Sequence, residues 1–177
     1  MSSQDLPYRM NVGIALFDMR GRVLIAHRLR NDGPEIILPG HEWQMPQGGV
    51  DPNEDALAAA RRELWEETSV TRSEPLGQTR EWMAYDFPPY EGPWHRLCAF
   101  RGQRQRWYAF RFTGDESEID VTRGEGGADP EFSHWRWERL DRVAALVVPF
   151  KREIYERVTL EFRAFAEPAK AGETDGC

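Results

Sequence analysis

Glu63, Glu66 and Glu67 stand at i, i+3 and i+4 in the segment GGVDPNEDALAAARRELWEETSV, residues 48–70. A helix puts all three carboxylates on one face. Like charges placed that way repel and weaken an isolated helix. A divalent cation would offset the repulsion, and hard oxygen ligands on a rigid element suit Mg²⁺ or Mn²⁺. A cation held there neutralises a phosphate chain, polarises its oxygens and lowers the pKa of bound water. A carboxylate left free can serve as general base. Arg62 lies four residues before Glu66, close enough to pair with it or a neighbour and fix its direction. Gly48 and Gly49 carry no side chains, so backbone can approach metal or phosphate closely. Taken alone, an acidic triplet reads as a solvated helix face; the further residues at fixed spacing around it argue for chemistry.

The elements that must position these groups can be read from the pattern. Asn11–Phe17 is apolar and β-rich, Asp18–Gly21 turns, and Arg22–His27 continues as a strand, which makes a hairpin. Arg30–Glu42 contains Asn-Asp-Gly-Pro and Pro-Gly and is expected to be a loop. Asn53 is the expected N-cap of the acidic helix, with Glu54 and Asp55 in its first turn. Leu57, Ala60 and Leu64 form its apolar stripe, and it should fade near Thr68–Val70. Strands are expected at Gly77–Asp86, Leu97–Phe100, Gln105–Thr113 and Glu131–Glu138. Thr113–Pro130, rich in Gly and acidic residues, reads as a mobile loop. Val148–Phe165 reads as a helix with Ile154, Val158, Phe162 and Phe165 on one side. No repeat or internal linker is visible, so residues 1–166 read as one domain, followed by a disordered tail at 167–177.

The chain has 177 residues, 40% apolar and 30% charged, as in a soluble globular protein with a sizeable core. Its net charge of −7 disfavours a broad grip on nucleic acid such as DNA, but not a substrate held by one end in a local basic pocket. No apolar run approaches membrane-spanning length and no secretory signal is apparent, so no membrane partner is expected. Cys98 and Cys177 have no metal-ligand spacing, which fits a reducing cytoplasm. His27, His41, His95 and His134 show no ligand spacing either. Trp107, Trp135 and Trp137 alternate with polar residues and are assigned to the core. Arg101, Arg104 and Arg106 add local positive charge before a strand.

With U for an aliphatic residue, residues 48–70 follow G-x5-E-x7-R-E-U-x-E-E-x-G-U at every specified position but one. Gly48, Glu54, Arg62, Glu63, Leu64, Glu66, Glu67 and Val70 fill their places, and Ser69 stands where the pattern has Gly. This resembles the Nudix box, the signature of hydrolases that cleave nucleoside diphosphates linked to another group. Ser69 replaces a helix-closing glycine, at some cost in stability, and removes no ligand. Outside the box, YRMNVGIALFD, WQMPQGG, EWMAYDFP, GQRQRWYAFRF, PEFSHWRW and VVPFKREIYERV look like the bacterial branch of RNA pyrophosphohydrolases and dinucleoside-polyphosphate hydrolases. Relative to the enterobacterial form, the Arg30–Glu42 loop is longer and the segment around Pro89–Phe100 shorter; both are expected to border the substrate cleft.

The resemblance implies an α/β (α+β) Nudix fold, an α-β-α sandwich around a mixed curved sheet. It implies a hydrolase of phosphorus-containing acid anhydrides that uses Mg²⁺ or Mn²⁺, with more than one ion. Its substrate would be the 5′-triphosphate end of RNA, releasing pyrophosphate, or a dinucleoside polyphosphate such as diadenosine tetraphosphate. A nucleotide-sensing module without catalysis and a house-cleaning hydrolase of modified nucleotides are the alternatives. By the same resemblance, Glu63, Glu66, Glu67, Glu131 and Gly48 would form the metal site. Glu67 is the first choice for general base and Glu66 the second, with Arg62 in the catalytic group. Arg9 and Arg28 would face the phosphates. Val148, Phe150 and Lys151 would form a patch on a base, with Phe150 stacking or serving as a helix anchor. Tyr85 would stack on a purine or pack within its strand. A monomer is expected.

Overall fold

The computed structural model describes residues 5–123 and 129–169. Strand β1 (Tyr8–Phe17) is its axis. Its alternate residues feed two separate cores. Val12, Ile14 and Leu16 join one cluster, and Ala15 and Phe17 the other. A strand covered on both faces reads as a continuous apolar run, which is why NVGIALF carries no polar alternation.

One edge of β1 runs parallel to β7 (Gly102–Phe112) along its whole length, from Tyr8 opposite Gly102 to Phe17 opposite Arg111. The other edge is shared. Near its start β1 pairs antiparallel with β4 (Gln47–Gly49), and at Phe17 with Val23 of β2 (Val23–Arg28). The divided pairing splits the sheet into two wings. β3 (Trp43–Gln44) and β8 (Phe132–Glu138) flank β2, while β5 (Ser73–Gln78) and β6 (Met83–Asp86) share the far edge of β7. Helix α1 (Ala56–Thr68) covers one face with Ala59, Ala60 and Leu64. The opposite face is covered by α2 (Val143–Leu146) and α3 (Arg152–Phe162), the latter through Ile154, Tyr155, Val158 and Phe162. The result is the expected α-β-α sandwich around a mixed sheet.

Several expectations need correction. The N-cap of α1 is Asp55, whose carboxylate accepts from the Ala58 amide at 3.0 Å. Asn53 instead takes a left-handed turn, φ 65°, a conformation Asn tolerates. Glu54 leaves the first turn, accepts from the Asp51 amide and reaches Arg62. Residues Arg96–Ala99 form a 3₁₀ turn, not a strand, nucleated by the His95 ring accepting from the Leu97 amide. The Gly77–Asp86 strand is two strands, β5 and β6, separated at Thr79–Trp82. The helix expected from Val148 begins as a 3₁₀ turn at Pro149–Lys151 and becomes α-helical only from Arg152.

The Thr113–Pro130 segment is ordered over its first part: Ile119 and Val121 are buried, and the Asp120 amide donates to the Thr68 carbonyl. Residues 124–128 lie outside the described residues. So does the tail from 170 on, while Ala169 is tied to the Met19 carbonyl. Trp107 is fully buried, and Trp135 and Trp137 are half-buried beside the α1 core.

Ser69 closes α1 with left-handed dihedrals, φ 62° and ψ 7°, and its amide donates to the Trp65 carbonyl. Its hydroxyl donates to the Asp120 carbonyl at 3.2 Å. That bond offsets part of the roughly 1–2 kcal/mol that a Cβ costs in this conformation. Ser69→Gly should therefore be more stable than Ser69→Ala by about 1 kcal/mol in urea unfolding, since alanine keeps the strain and loses the bond. Equal stability of the two variants would contradict this account of the helix end.

Candidate active site

The acidic face of α1 looks into a cleft of about 450 Å³ where β4, the 29–42 loop and the segment before β8 converge. Glu63, Glu66, Glu67 and Glu131 all line it, with Arg9, Gly48, Gly49 and Arg62. Arg62 holds the ridge together. Its Nη1 donates to Glu63 at 2.9 Å and to Glu66 at 3.0 Å. Its Nε and Nη2 both donate to Glu54 at 2.9 Å, and Nη2 also reaches the Gly49 carbonyl at 2.8 Å. One guanidinium thus clamps three carboxylates and the loop that precedes the helix. Hydrogen bonds to Arg62 and to the Asp51 amide hold Glu54 down at about 2, while the Arg62 guanidinium is stabilised in its charged form, first by Glu54.

The two glycines make room for side chains. A Cβ at Gly48 would lie 1.8 Å from the Glu63 carboxyl carbon, and one at Gly49 would lie 2.1 Å from an Arg9 guanidinium nitrogen. The close approach expected for metal or phosphate is here made by Glu63 and Arg9. Burial pushes the Glu63 carboxyl up to about 7, against the pull of Arg62. Glu67 accepts from the Gln47 amide at 3.0 Å. Burial raises it well above the carboxylate range, and Glu131 and Glu63 raise it further. Burial also raises Glu131, and the Arg28 guanidinium beside it opposes the rise.

Among the described residues no group of three or more Asp, Glu, His or Cys side chains is already arranged to hold a metal ion. The donor set fits one nonetheless. Glu63, Glu66, Glu67 and Glu131 share one cleft, and burial makes three of them, Glu63, Glu67 and Glu131, resist ionisation by more than the adjacent cations offset. A hard divalent cation takes such oxygen ligands and relieves that excess.

Arg28 lies behind the cleft wall, 3% exposed, with Nε 3.8 Å from Glu131. Its Nη2 donates to the Glu35 and Arg30 carbonyls, while Nε and Nη1 have no hydrogen-bond partner. Arg28 therefore does not line the cleft itself, and its guanidinium backs Glu131 from the interior.

The expected base-contacting patch is not at the surface. Lys151 is 1% exposed, and its ammonium lies 2.9 Å from Glu35. Val148 is buried in the core that α3 covers. The Tyr85 hydroxyl donates to Glu35, and its ring packs beside Phe150 at 5.8 Å between centroids. Of these residues only Phe150, in the 3₁₀ turn before α3, is half-buried and not fully interior. An ammonium taken out of water needs a carboxylate, and the 29–42 loop supplies it.

Glu35 is the residue sequence reasoning missed. It accepts from Lys151, Tyr85, Gln103 at 3.0 Å and Gln47 at 3.3 Å, and it lines the catalytic cleft. Burial pushes its carboxyl up, but Lys151 and Arg28 outweigh that and hold it below the ordinary range. Burial draws the Lys151 ammonium down, opposed by Glu35. No local signal marks a glutamate in a loop whose partners lie as far as 116 positions away.

Residues 7–158 match the family described as NUDIX domain. The RNA pyrophosphohydrolase of Azorhizobium caulinodans is 51% identical over 164 residues, 92% of this chain and 96% of that protein. The RNA pyrophosphohydrolase of Rhodopseudomonas palustris is 52% identical over 165 residues, 93% of each chain. Among solved structures, the MutT protein of Methanosarcina mazei superposes with a TM-score of 0.59 at 18% identity, covering 89% of this chain and 96% of that one. The C. elegans Ap4A hydrolase gives 0.56 at 16% identity, with 88% and 98% covered. At such identities the structural likeness establishes the fold alone.

Glu35→Ala should destabilise the protein by about 3–5 kcal/mol, because it leaves the Lys151 ammonium buried and unpaired. Glu35→Leu combined with Lys151→Met should recover most of that loss in the same urea titration. A loss under about 1 kcal/mol for Glu35→Ala would mean the pair is solvated.

The raised Glu63 carboxyl sets a pH dependence. Between 4.5 and about 7 the folded chain binds a proton that the unfolded chain has released, so stability falls as pH rises through that window. In chelator the melting temperature should fall across it. Added Mg²⁺ should restore stability most at the upper end, where it no longer competes with the proton. A melting temperature indifferent to Mg²⁺ at every pH would count against a cation at this ridge.

Proposed function

This chain belongs to the Nudix family, and from that premise we propose that it is a divalent-metal-dependent pyrophosphohydrolase that removes pyrophosphate from the 5′-triphosphate end of RNA. Proteins named RNA pyrophosphohydrolase match it at about half their residues over nearly their whole length. The observation that carries the chemistry is the clamping of the Glu63 and Glu66 carboxylates by one arginine beside Glu67 and Glu131 in a single cleft. A sensing module without catalysis would dispense with such a costly concentration of like charge, and a metal-ligand glutamate of the box would then be missing; none is.

Glu63, Glu66, Glu67 and Glu131, with backbone at Gly48, would hold Mg²⁺ or Mn²⁺, and more than one ion fits the number of carboxylates. Bound there, the metal neutralises phosphate charge and acidifies attacking water. The chain's own groups do the rest. Glu67 accepts the proton of the attacking water. The Gln47 amide fixes its carboxylate in the wall of the cleft. Arg62 fixes the directions of Glu63 and Glu66. Arg9 lies in the cleft for the phosphate chain, and the uncommitted donors of Arg28 stand behind Glu131. The 5′-monophosphate RNA and pyrophosphate leave separately.

The same arrangement of carboxylates and arginines would split a dinucleoside polyphosphate, since the bond broken is the same phosphoanhydride. Product analysis decides between the two. Purified protein is incubated in parallel with 5′-triphosphorylated RNA and with diadenosine tetraphosphate. Pyrophosphate release at the higher kcat/KM supports the RNA reading, and preferential ATP formation overturns it. Glu67→Gln should keep the fold and lower kcat by roughly 10²-fold or more. Wild-type turnover in that variant would remove Glu67 from the base role, and turnover in excess EDTA would contradict metal dependence.

A further inference from the structure

The segment that leads into Arg96 of the cleft lining carries a feature the hydrolysis does not use. Trp94 is 81% exposed, the most exposed large apolar side chain among the described residues. Scattered apolar residues at a surface need no explanation, but a wholly presented indole forgoes most of the burial that makes tryptophan worth having.

Trp94 is also rigidly mounted. It ends the segment FPPYEGPW, residues 87–94, whose three prolines fix their φ angles. The Tyr90 hydroxyl donates to the Pro93 carbonyl at 3.1 Å, closing the loop on itself. On its other side His95 is pinned twice. Its Nδ1 accepts from the Leu97 amide at 3.2 Å, which leaves the proton on Nε2, and Nε2 lies 3.0 Å from Asp32. Asp32 lines the catalytic cleft, and so does Arg96, two residues beyond Trp94. Arg96 is exposed and forms no ion pair with any described residue. An exposed indole therefore lies two residues along the chain from an exposed cation of the cleft lining.

That pairing is how proteins hold single-stranded nucleic acid without reading its sequence: bases stack on aromatic rings while a cation follows the phosphates. A net charge of −7 disfavours a broad electrostatic grip, so a hold on the RNA body is expected to be local. We propose that Trp94 is a stacking platform for a base of the RNA chain downstream of the 5′ end held in the cleft, with Arg96 on the adjoining backbone phosphate. The site takes single-stranded RNA of any sequence. It offers nothing to a substrate too short to reach the rim, and so sets a preference for RNA over free nucleotides. This rests on the RNA reading of the catalytic cleft.

The test compares three substrates: a triphosphorylated RNA several nucleotides long, a triphosphorylated dinucleotide and diadenosine tetraphosphate. A base stacked on an aromatic ring contributes about 1–3 kcal/mol, so Trp94→Ala should raise KM for the long RNA roughly tenfold. The same variant should leave kcat, both short substrates and the melting temperature unchanged. Trp94→Phe should restore most of the affinity, and Arg96→Gln should weaken binding of the long RNA in a salt-dependent way. An unchanged KM for long RNA in Trp94→Ala overturns the proposal while leaving the catalytic reading intact. An equal rise in KM for all three substrates also overturns it, placing Trp94 in the support of the common site. Wild-type protein that hydrolyses only the dinucleoside polyphosphate overturns both readings at once.

Discussion

The Arg62 guanidinium touches Glu54, Glu63, Glu66 and the Gly49 carbonyl at 2.8–3.0 Å. Without it, α1 would carry carboxylates one turn apart with nothing between them, an arrangement that destabilises a helix. With it, the repulsion is converted into a fixed geometry. The loop from β4 into α1 is held by the same group, so the glycines that receive Glu63 and Arg9 are locked to the helix that bears the carboxylates. Every other part of the cleft is placed relative to this clamp.

A second polar layer lies beneath the first. Glu35 collects Lys151, Tyr85, Gln103 and Gln47, and Gln47 in turn fixes Glu67 through its amide. Gln105 extends the layer to Asn11 and Trp107. In a low-dielectric interior such a network is strong when satisfied and costly when broken. It ties the long 29–42 loop, the 3₁₀ start before α3 and the first residues of β7 to the floor of the catalytic cleft. The inserted loop is therefore part of the site's foundation, and it carries Asp32, the residue that pins the rim at His95.

The split pairing of β1 explains why the cleft sits where it does. β4 takes the edge of β1 at Asn11–Gly13 and β2 takes it at Phe17, so the chain leaving β4 can turn directly into α1 at the sheet's divide. Carboxylates on α1, Arg9 on β1 and the acidic residue before β8 then meet at one opening, with Arg28 of β2 behind it. The rim above it is built from segments with little regular structure, and there substrate length can be sensed without disturbing the chemistry below.

The spacing of Glu63, Glu66 and Glu67, the Arg62 four residues before Glu66 and the left-handed closure at Ser69 were all legible in the chain, because helix periodicity and capping are local. The sandwich was implied by the resemblance of residues 48–70 and their flanking segments to the Nudix family; the apolar stripe of α1 and the uninterrupted strand β1 fit it. The N-cap is Asp55 and not Asn53, because two polar residues so close together are distinguished only by the left-handed turn at Asn53. The expected strand at Leu97–Phe100 is a turn because His95 caps it. Lys151, expected at a surface, is interior because Glu35 lies opposite, and that pair joins residues 116 positions apart. Local sequence determines what a helix can carry on one face. Which charges are buried together depends on how distant segments meet, since only the assembled fold sets the dielectric around them and supplies the partner each one requires.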